Sequence, residues 1–479
     1  MSRAPCVLYR FAHDLRLDDH AGLAAACALG EVVGVLVLDR QIVARLVRSP
    51  RRAAVYCAAV QALDSALRRY GSHLVVRRGN VGTTLREVAR GCGASAVAWS
   101  ASYEYAGRLA DQHLQSILEE AGLRALLVHD APVIAPEDTD LSGPDGRGYR
   151  AFAGYYERWQ RLILGRDLST APIAFSQTVL HSEPLPSAQE FGACAQIAPI
   201  AEEEVAASLA AFLVGPALQY AVTAKVPASD GTSRLGADLS LGRLAARRVV
   251  RETLARLNDP FLLAEERTSL GSFLRALARR DFFLQLAWYA EGEDRALQEE
   301  MRDFLLASDH PGLSAWLEGR TGFPLVDAGM RELRLTGWMH PRVRPVAASF
   351  LCFDLGVDWR IGRDLWERWL IEDDPALATG NWQWAAGVGA DLAQVPRIYD
   401  PERQRRRVDP EGRYVSRYVD ELAGLPVGAW AGRPAGASQL ELDLFGPVGY
   451  PKPILDHQAS AHAYLARYRA YRRERAGTT

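Results

Sequence analysis

The sequence has 479 residues, of which 48% are hydrophobic and 24% charged, and its formal net charge is −2. This length exceeds one ordinary domain, and the balanced charge excludes a globally basic nucleic-acid-binding protein while leaving room for local basic patches. The six cysteines are scattered without a C-x-x-C pair, which argues against a zinc module, a metal cluster or a disulfide framework. We find no signal peptide and no apolar run long enough to span a bilayer, so we expect a cytoplasmic protein.

The first 130 residues alternate short apolar runs with helical segments. The predicted strands are residues 6–11, 32–38, 73–77, 96–99 and 125–128. The predicted helices between them are residues 20–29, 49–70, 83–91 and 108–121. Continuous apolar strands that alternate with helices predict a Rossmann-like α/β domain with a parallel sheet covered on both faces. The first strand is not followed by G-x-G-x-x-G, so the fingerprint of dinucleotide binding is absent.

The loop after the first strand reads RFAHDLRLDDH and contains Asp14, Arg16, Asp18 and Asp19. Charged residues in such a loop are most often a solvated turn with a helix cap, and we expect that here.

The composition changes after the α/β region. Residues 165–204 are rich in Pro, Ser and Ala, which is typical of an interdomain linker. Apolar spacing then predicts helices, which are residues 204–212, 240–257, 269–290, 298–306 and 343–370. We therefore divide the chain into an α/β domain (1–130), a connector (131–204) and an all-α domain (205–479).

Residues 337–391 combine basic residues, carboxylates and tryptophans. These are Arg342, Arg344, Arg360, Glu372, Asp373, Asp374, Trp359, Trp366, Trp369, Trp382 and Trp384. Arginine beside carboxylate in a buried helix indicates either a desolvated ion pair or a bound charged ligand. Closely spaced tryptophans are usually core residues, because they are large and bury well.

Three further segments could contact phosphate. Gly231-Thr232-Ser233-Arg234-Leu235 could hold a diphosphate at a helix N-terminus, but the segment by itself favours an ordinary Ser/Thr cap. Arg279-Arg280-Asp281 is typical of a solvated face or an ion-pair site. The run RQRRRVDPEGR at Arg403 predicts a basic surface loop able to contact a phosphate backbone.

Together these motifs resemble the photolyase/cryptochrome family over nearly the whole chain. The matching motifs are GTSRL at Gly231, RDFF at Arg280, GRTGFPLVDAGMREL at Gly319, TGWMHPRVRPVAASFL at Thr336, DWR at Asp358, NWQWAAGVGAD at Asn381 and GYPKPILDH at Gly449. The resemblance implies an antenna-type α/β domain and a helical domain that holds a U-shaped FAD. In repair members, the light-excited reduced flavin passes an electron to a pyrimidine dimer in DNA and then recovers it.

The resemblance also assigns individual residues. The implied FAD-binding residues are Tyr220, Thr232, Ser233, Arg234, Leu235, Arg280, Arg344, Glu372 and Asp374. Within this set, Arg344 and Asp374 correspond to the arginine–carboxylate pair beside the isoalloxazine, and Glu372 replaces an aspartate. Trp382 and Trp359 correspond to the proximal and middle tryptophans of the chain that feeds electrons to the flavin. We therefore expect FAD binding.

The lesion pocket of the family matches less well. Repair members read E-L-x-W-R where this chain has Ala276 and Arg279 in place of the glutamate and the tryptophan. Pro341 and Pro345 replace an asparagine and a methionine, and only Trp384 is left of the aromatic clamp. Because a stacking contact contributes about 1–3 kcal/mol and a bidentate contact is similar, dimer binding should be orders of magnitude weaker.

The electron chemistry and the antenna site also depart from the family pattern. The residue facing flavin N5 is asparagine in photolyases and is Ala378 here, and the surface tryptophan of the relay falls on Leu306. Arg10 and Ala12 depart from the first-loop pattern, whereas Glu104 matches a glutamate that contacts the antenna in folate-binding members. The antenna chromophore stays open between folate and deazaflavin types.

Three functions are consistent with these residues. The favoured one is a light-driven flavoprotein diverged from dimer repair, as a sensor or as a photoenzyme on another substrate. The second is a deoxyribodipyrimidine photolyase in which Arg279 and Arg280 hold backbone phosphates. The third, a DNA-binding scaffold with a structural FAD, is disfavoured because such a flavin needs no electron supply. The expected partner is DNA, with weak or altered lesion binding, and we expect a monomer without membrane or metal-cluster association.

Overall fold

The computed structural model describes residues 5–143, 146, 148–168, 171, 173–194, 197–304, 306–390, 396–430 and 449–476. The chain folds into two compact units, each assembled from segments that are distant in sequence. The first unit comprises Met1–Tyr220, Ser233–Glu293 and Ile371–Leu377. The second unit comprises Ala221–Thr232, Asp294–Leu370 and Ala378–Thr479.

The first unit is built on a five-stranded parallel sheet of order β3-β2-β1-β4-β5. Its strands are β1 (Cys6–Phe11), β2 (Glu31–Leu38), β3 (Val75–Arg78), β4 (Ala94–Ser100) and β5 (Arg124–Val128). All five predicted strands are present, and the expected parallel α/β fold is confirmed. The strand order reverses at β1, between β2 and β4, which opens a crevice at the carboxyl ends of these strands.

Helices cover both faces of the sheet. They are α1 (Ala21–Cys27), α2 (Arg40–Arg48), α3 (Pro50–Arg69), α4 (Val81–Cys92) and α5 (Tyr105–Glu120). Side chains alternate along β1, so that Val7, Tyr9 and Phe11 pack with α1 and α3, whereas Leu8 packs with α4 and α5. This alternation produces two hydrophobic layers, one on each face of the sheet.

Short polar residues begin the helices that follow the strands. Asp39 accepts hydrogen bonds from the backbone N–H groups of Gln41 and Ile42 at the start of α2. Ser49 and Asn80 cap α3 and α4 in the same way. The N-termini of α2 and α4 line the sheet crevice, and their positive dipole ends favour negative charge there.

The loop after β1 is buried, so the prediction of a solvated turn is wrong. Asp14 and Arg16 are each only 3% exposed. The Arg16 guanidinium donates to Asp130 Oδ2 at 2.7 Å and to the carbonyl of Gly242 at 3.0 Å. Tyr9 donates its hydroxyl to Asp14 at 2.5 Å. A later segment of the chain covers this loop, and its charges are therefore paired rather than hydrated.

The predicted connector is attached to the edge of the sheet. Ser182 Oγ accepts from the N–H of Val76 at 2.9 Å, and the Glu183 N–H donates to the Val76 carbonyl at 3.0 Å. Val76 belongs to the edge strand β3, so the connector covers backbone groups that an open edge would expose.

The remaining helices of the first unit are α6 (Phe152–Gly165), α7 (Glu202–Val214), α9 (Gly236–Ser240), α10 (Ala246–Leu257) and α11 (Ala264–Trp288), and α8 (Tyr220–Thr223) begins there. The predicted helix 240–257 begins only at Ala246, because Gly242 adopts a φ of 63°.

One stretch of the chain, Glu202–Thr223, is long and apolar enough to cross a bilayer by length and composition. The expectation that no such stretch exists was therefore too strict. In the structure the stretch breaks at Gly215, and Phe212 packs edge-on against Phe273 at 4.9 Å. Phe212 is thus packed inside the protein, whereas Val214 and Val222 of the same stretch are exposed.

The second unit is helical. Its helices are α12 (Leu313–Glu318), α13 (Pro324–Thr336), α14 (Arg344–Ser349), α15 (Trp359–Trp366), most of α16 (Pro375–Ala385), α17 (Pro401–Val408), α18 (Arg413–Tyr418) and α19 (His457–Ala476). The expected helical C-terminal region is confirmed. Trp316, Phe350 and Trp359 belong to its buried core.

Three helix predictions in this region need correction. The predicted helix 343–370 passes through a π-helical segment, Phe350–Asp354, and is interrupted at Gly356, where φ is 66°. Residues 298–306 contain only a 3-10 turn, Glu299–Met301. The basic run at Arg403 lies mainly in α17, where Arg405 is buried and paired with Glu402. Leu305 and Asp391, which belong to predicted segments, lie outside the described residues.

Candidate functional site

The GTSRL segment forms a tight turn before α9. Arg234 has a φ of 52°, in the left-handed region that residues with a side chain rarely adopt. A Cβ at Gly231 would lie 2.3 Å from Thr223 Oγ1 and 2.7 Å from the Thr223 carbonyl carbon. Leu235 is buried, whereas Arg234 is exposed and Thr232 and Ser233 are half-buried. The turn therefore presents two hydroxyls and a guanidinium on a constrained backbone, as a diphosphate site requires.

Glu372 lies against the glycine that begins α9. A Cβ at Gly236 would come within 2.6 Å of Glu372 Oε1, so the absence of a side chain allows this close approach. Tyr220, also in the first unit, packs edge-on against Phe273 at 5.3 Å. Both predicted FAD-binding residues are half-buried and accessible to a ligand.

Arg280 and Asp374 lie close enough within the first unit to influence each other. Burial raises the pKa of Asp374, and the positive charge of Arg280 offsets part of this rise. Arg280 donates to the carbonyl of Ala131 at 2.8 Å, while its buried Nε has no hydrogen-bond partner among the described residues. A buried donor without a partner is costly, and an anionic or carbonyl ligand would satisfy it.

Asp374, Ala378 and Trp382 recur every four residues around α16 and therefore share one face of this helix. Asp374 accepts from the N–H of Leu377 at 3.0 Å, which is the geometry of a helix N-cap. Ala378 is half-buried and Trp382 is buried. Ala378 lies between Asp374 and Trp382 on this face, and its methyl side chain offers no hydrogen-bonding group.

The remaining predicted flavin and relay residues belong to the second unit. Arg344 donates from Nε to the carbonyl of Met339 at 2.8 Å. Trp359 is buried and Trp384 is half-buried, both against the core of this unit. The roles assigned to these residues stay predictions.

The residues that replace the lesion contacts have a different chemistry. The Arg279 guanidinium lies 3.9 Å from the ring centre of Phe152, and Arg275 lies 4.9 Å from the same ring. Ala276, on the same helix as both arginines, is exposed and offers no side-chain hydrogen-bonding group, and the exposed Pro341 of the second unit offers none either. This surface of the first unit is therefore cationic and aromatic rather than neutral and hydrogen-bonding.

A cavity of about 510 Å3 lies at the carboxyl ends of β1, β2 and β4, within the first unit. Its lining is mainly apolar but includes the charged or titratable residues His13, Arg45, Glu104, Arg280 and Asp373. The cavity volume falls in the range of small-molecule and cofactor sites, and its place at the strand-order reversal is where α/β sheets bind ligands.

The charges of the cavity are balanced locally. Burial raises the pKa of Asp373, but the charges of Arg45 and Arg52 outweigh it and hold the pKa below its usual range. Burial and the charge of Arg45 lower the pKa of His13 to about 4. Burial also raises the pKa of Glu104, an effect that Arg45 at 3.8 Å reduces. His13 is therefore neutral near pH 7, and Asp373 is anionic.

Trp366, which the sequence interpretation treated as ordinary core, contacts the predicted relay residue Trp382, and Trp316, which the sequence interpretation did not single out, contacts Trp366. Trp366 lies 4.6 Å from Trp382 between ring centres, and Trp316 stacks on Trp366 at 6.1 Å. The available signal was the spacing of Trp359 and Trp366, which are seven residues apart on one helix face. Among the described residues, no group of three or more His, Cys, Asp or Glu side chains could hold a metal ion.

Two family models match this chain. Residues 7–174 match the DNA photolyase model, and residues 273–470 match the FAD binding domain of DNA photolyase. A deoxyribodipyrimidine photo-lyase of Halobacterium salinarum is 31% identical, over 96% of this chain and 98% of its own length.

Solved structures agree with this fold. A class III photolyase from Agrobacterium tumefaciens has a TM-score of 0.84 at 27% identity and covers 99% of this chain and 98% of its own. A Synechocystis cryptochrome has a TM-score of 0.82 at 26% identity, over 98% of this chain and 100% of its own. Fold and matched segments thus define a two-domain flavoprotein. The chain belongs to the photolyase/cryptochrome family, and its cofactor is FAD.

Proposed function

We propose that this protein is a blue-light-driven electron-transfer flavoprotein that has diverged from pyrimidine-dimer repair. It acts as a light sensor or on a substrate other than a dimer. The observation that supports this most directly is the contact between Arg279 and Phe152, at 3.9 Å. A cation held on an aromatic ring replaces the neutral indole on which a dimer would stack, and Ala276 removes the acceptor that would bind its base edge.

We assign the FAD contacts to the residues that have matching donors. Thr232, Ser233 and Arg234 hold the diphosphate, and Tyr220, Leu235 and Glu372 support that segment. We assign Arg280 and Asp374 of the first unit, and Arg344 of the second unit, to the ring system and the ribityl chain as the family resemblance implies, because a guanidinium can stabilise negative charge there. When bound, the flavin supplies light absorption and one-electron chemistry. Trp382 is the first electron donor of the protein, with Trp359 as the next member that the family pattern implies.

The decisive test is single-turnover illumination of the fully reduced protein with a dimer-containing oligonucleotide. The readout is recovery of thymine absorbance, which reports base unsaturation independently of binding. We expect no recovery, while oxidised protein is still photoreduced through Trp382. Recovery at the rate of a photolyase measured in parallel would overturn the proposal.

A second function, repair of pyrimidine dimers in DNA, is favoured by one observation. The relatives that match over nearly their whole length are named deoxyribodipyrimidine photo-lyases. In that case Trp384, Arg279 and Arg280 would contact the DNA. Salt-dependent binding separates the two functions, because equal weak affinity for damaged and undamaged DNA counts against repair, and a clear preference for the dimer supports it.

The cavity of the first unit supports a second chromophore. We propose an antenna of folate or deazaflavin type there, contacted by Glu104. We expect Glu104→Gln to reduce retention of that chromophore, measured by its absorption in the purified protein. An unchanged absorption spectrum after the substitution would count against this assignment.

We further propose that residues 1–130 act as the antenna domain, 131–204 as the connector and 205–479 as the FAD domain. We propose a cytoplasmic monomer, in keeping with six free cysteines. Light scattering at working concentration tests the oligomeric state.

A further inference from the structure

Three tryptophans form a continuous series of ring contacts inside the second unit. The ring centres of Trp382 and Trp366 are 4.6 Å apart, with planes at 63°. Trp366 and Trp316 are 6.1 Å apart and nearly parallel, with planes at 7°. The three residues are 4%, 4% and 0% exposed. Tryptophan is a large, electron-rich side chain, and rings at these distances overlap as closely as aromatic pairs do in protein cores.

Helix α15 has a gap that admits the Trp382 ring. Trp359, Gly362 and Trp366 lie at positions i, i+3 and i+7 and therefore share one face of the helix. A Cβ at Gly362 would lie 2.3 Å from Cη2 of Trp382, so only glycine allows the ring to approach. Seated against Gly362, Trp382 makes its ring contact with Trp366.

Trp359 lies in a different environment on the same helix. Among the described residues, which include both side chains, no ring contact joins Trp359 to Trp382. The guanidiniums of Arg360 and Arg363 lie 4.9 Å and 5.3 Å from the centre of the Trp359 ring. Both arginines also pair with carboxylates, which offsets part of their charge. Cations against the ring disfavour a positive charge on Trp359, because like charges repel most strongly in a buried setting.

We propose that the electron relay that begins at Trp382 continues through Trp366 and then Trp316, rather than through Trp359. This inference rests on the proposed light-driven function with Trp382 as first donor, and it replaces Trp359, which the family pattern implies, as the next member. One electron leaves Trp382 for the photoexcited oxidised flavin, one from Trp366 refills Trp382, and one from Trp316 refills Trp366. The protein is left with a single electron deficit on Trp316, and no other reactant is consumed.

The indole N–H groups determine what happens to that deficit. Nε1 of Trp366 is buried without a hydrogen-bond acceptor in the described chain, so an oxidised Trp366 cannot pass its proton to a neighbour. Nε1 of Trp316 donates to the carbonyl of Ala347 at 3.0 Å, and an amide oxygen is a poor base. The electron deficit therefore moves from Trp366 to Trp316 and stays there with its proton. Because Trp316 is fully buried, reductants in solution reach it slowly, and its radical cation is therefore long-lived.

The experiment is laser-flash absorption on the FAD-loaded full chain, following the tryptophan radical cation in wild type, Trp366→Phe and Trp359→Phe. The two variants are matched, because both remove a buried indole from the same face of α15 and leave a phenyl ring. We expect Trp366→Phe to lose the long-lived radical and Trp359→Phe to keep it. Loss in Trp359→Phe with retention in Trp366→Phe would overturn the proposal.

A second measurement does not need the flavin. Circular dichroism near ~230 nm of the FAD-free protein reports coupling between neighbouring indoles, which is strong only for rings in contact. We expect the signal to fall in Trp366→Phe and to persist in Trp359→Phe; the opposite pattern contradicts the contact on which the relay depends. Trp382→Phe separates the two levels of inference. If Trp382→Phe leaves photoreduction unchanged, the proposed function fails together with the relay. If Trp382→Phe loses photoreduction but Trp366→Phe keeps it, only the relay is refuted.

Discussion

The guanidinium of Arg279 lies 3.9 Å from the centre of the Phe152 ring and joins α11 to α6. Arg275, one turn earlier, approaches the same ring at 4.9 Å and Tyr156 at 4.6 Å. Aromatic residues of α6 thus hold one cation at Arg279, where the family resemblance implies a tryptophan, and a second cation at Arg275, one residue before the position where it implies a glutamate. The replacement is a coherent packing arrangement, since each arginine has an aromatic partner.

Restoring both lesion contacts should restore dimer binding. We expect the double variant Ala276→Glu, Arg279→Trp to bind a dimer-containing oligonucleotide about 30- to 20,000-fold more tightly than wild type, because two contacts contribute about 1–3 kcal/mol each. Titration at fixed salt measures the effect, with undamaged DNA alongside. The matched control is Arg275→Trp, which adds an indole one turn away and should not create dimer preference. Equal affinity for damaged and undamaged DNA in the double variant would contradict this account of the pocket.

The close approach of Gly236 to Glu372 should be needed for FAD retention. In Gly236→Ala the new Cβ would come within 2.6 Å of Glu372 Oε1, so the carboxylate has to move away from its position. We expect lower FAD occupancy after gel filtration, measured by the ratio of flavin to protein absorption, with little loss of folded protein. Gly271→Ala in α11 is the control, because nothing lies within 4 Å of the added Cβ there. Equal FAD occupancy in the two variants would contradict the assignment of Glu372.

Local pattern predicted the sheet well, because each strand is a short apolar run bounded by turn residues. The failures have tertiary causes. Asp14 and Arg16 carry the charge pattern of a solvated turn, yet a segment that includes Gly242 covers them, and sequence spacing does not reveal this contact. The predicted helix 343–370 is broken at Gly356, where a positive φ rather than composition ends the apolar periodicity.

The candidate site likewise contains residues that sequence motifs predicted and contacts that only tertiary packing determines. Family motifs identified the turn at Arg234 and the carboxylate Asp374, because those residues occupy fixed positions in contiguous motifs. The ring contact between Trp366 and Trp382 could not be predicted, since it depends on the gap that Gly362 leaves in α15. Packing between helices is set by such small residues, and their effect is visible only in three dimensions.

The pKa of Asp281 predicts a pH-dependent stability. Burial raises this pKa to about 6, although Arg280, Trp159 and Val133 favour the carboxylate. Because this pKa is raised, Asp281 contributes fully to stability below the ordinary aspartate pKa of 3.8, and this contribution is lost as the pH rises through about 6. Relative to wild type, we expect the free energy of unfolding of Asp281→Asn to rise by up to about 3 kcal/mol as the pH increases from 4 to 7.5. Chemical denaturation across this range measures the difference, and a difference that does not vary with pH would refute it.

His457 at the start of α19 should stabilise that helix most below neutral pH. Its Nδ1 lies 2.5 Å from Asp354 Oδ1. Burial lowers the pKa of His457, but the hydrogen bond and charge of Asp354 outweigh it and leave the pKa raised. The contribution is therefore present below pH 6.5 and is lost as the pH rises through the folded-state pKa. We expect His457→Gln to speed amide exchange of α19 more at pH 6 than at pH 9, after correction for intrinsic rates. The exposed His462 on the same helix supplies the control variant His462→Gln, which should behave as wild type at both pH values.

Asp373 holds together the polar wall of the cavity in the first unit. Its carboxylate accepts from Arg45 and lies 3.3 Å from Arg52, whose side chain is 3% exposed. Asp373→Asn removes the negative charge and leaves two arginines side by side, so we expect a loss of about 3–5 kcal/mol in the stability of this unit. Because its pKa is lowered, the contribution of Asp373 is present above about pH 4 and declines as the pH falls further, so the deficit of the variant should shrink in acid. Hydrogen exchange of the β1 and β2 amides measures the effect, and Asp140→Asn at an exposed ion pair should change it by no more than about 0.5 kcal/mol. Unchanged exchange in Asp373→Asn would mean that the cavity tolerates unpaired cations, as a site that normally binds an anion would.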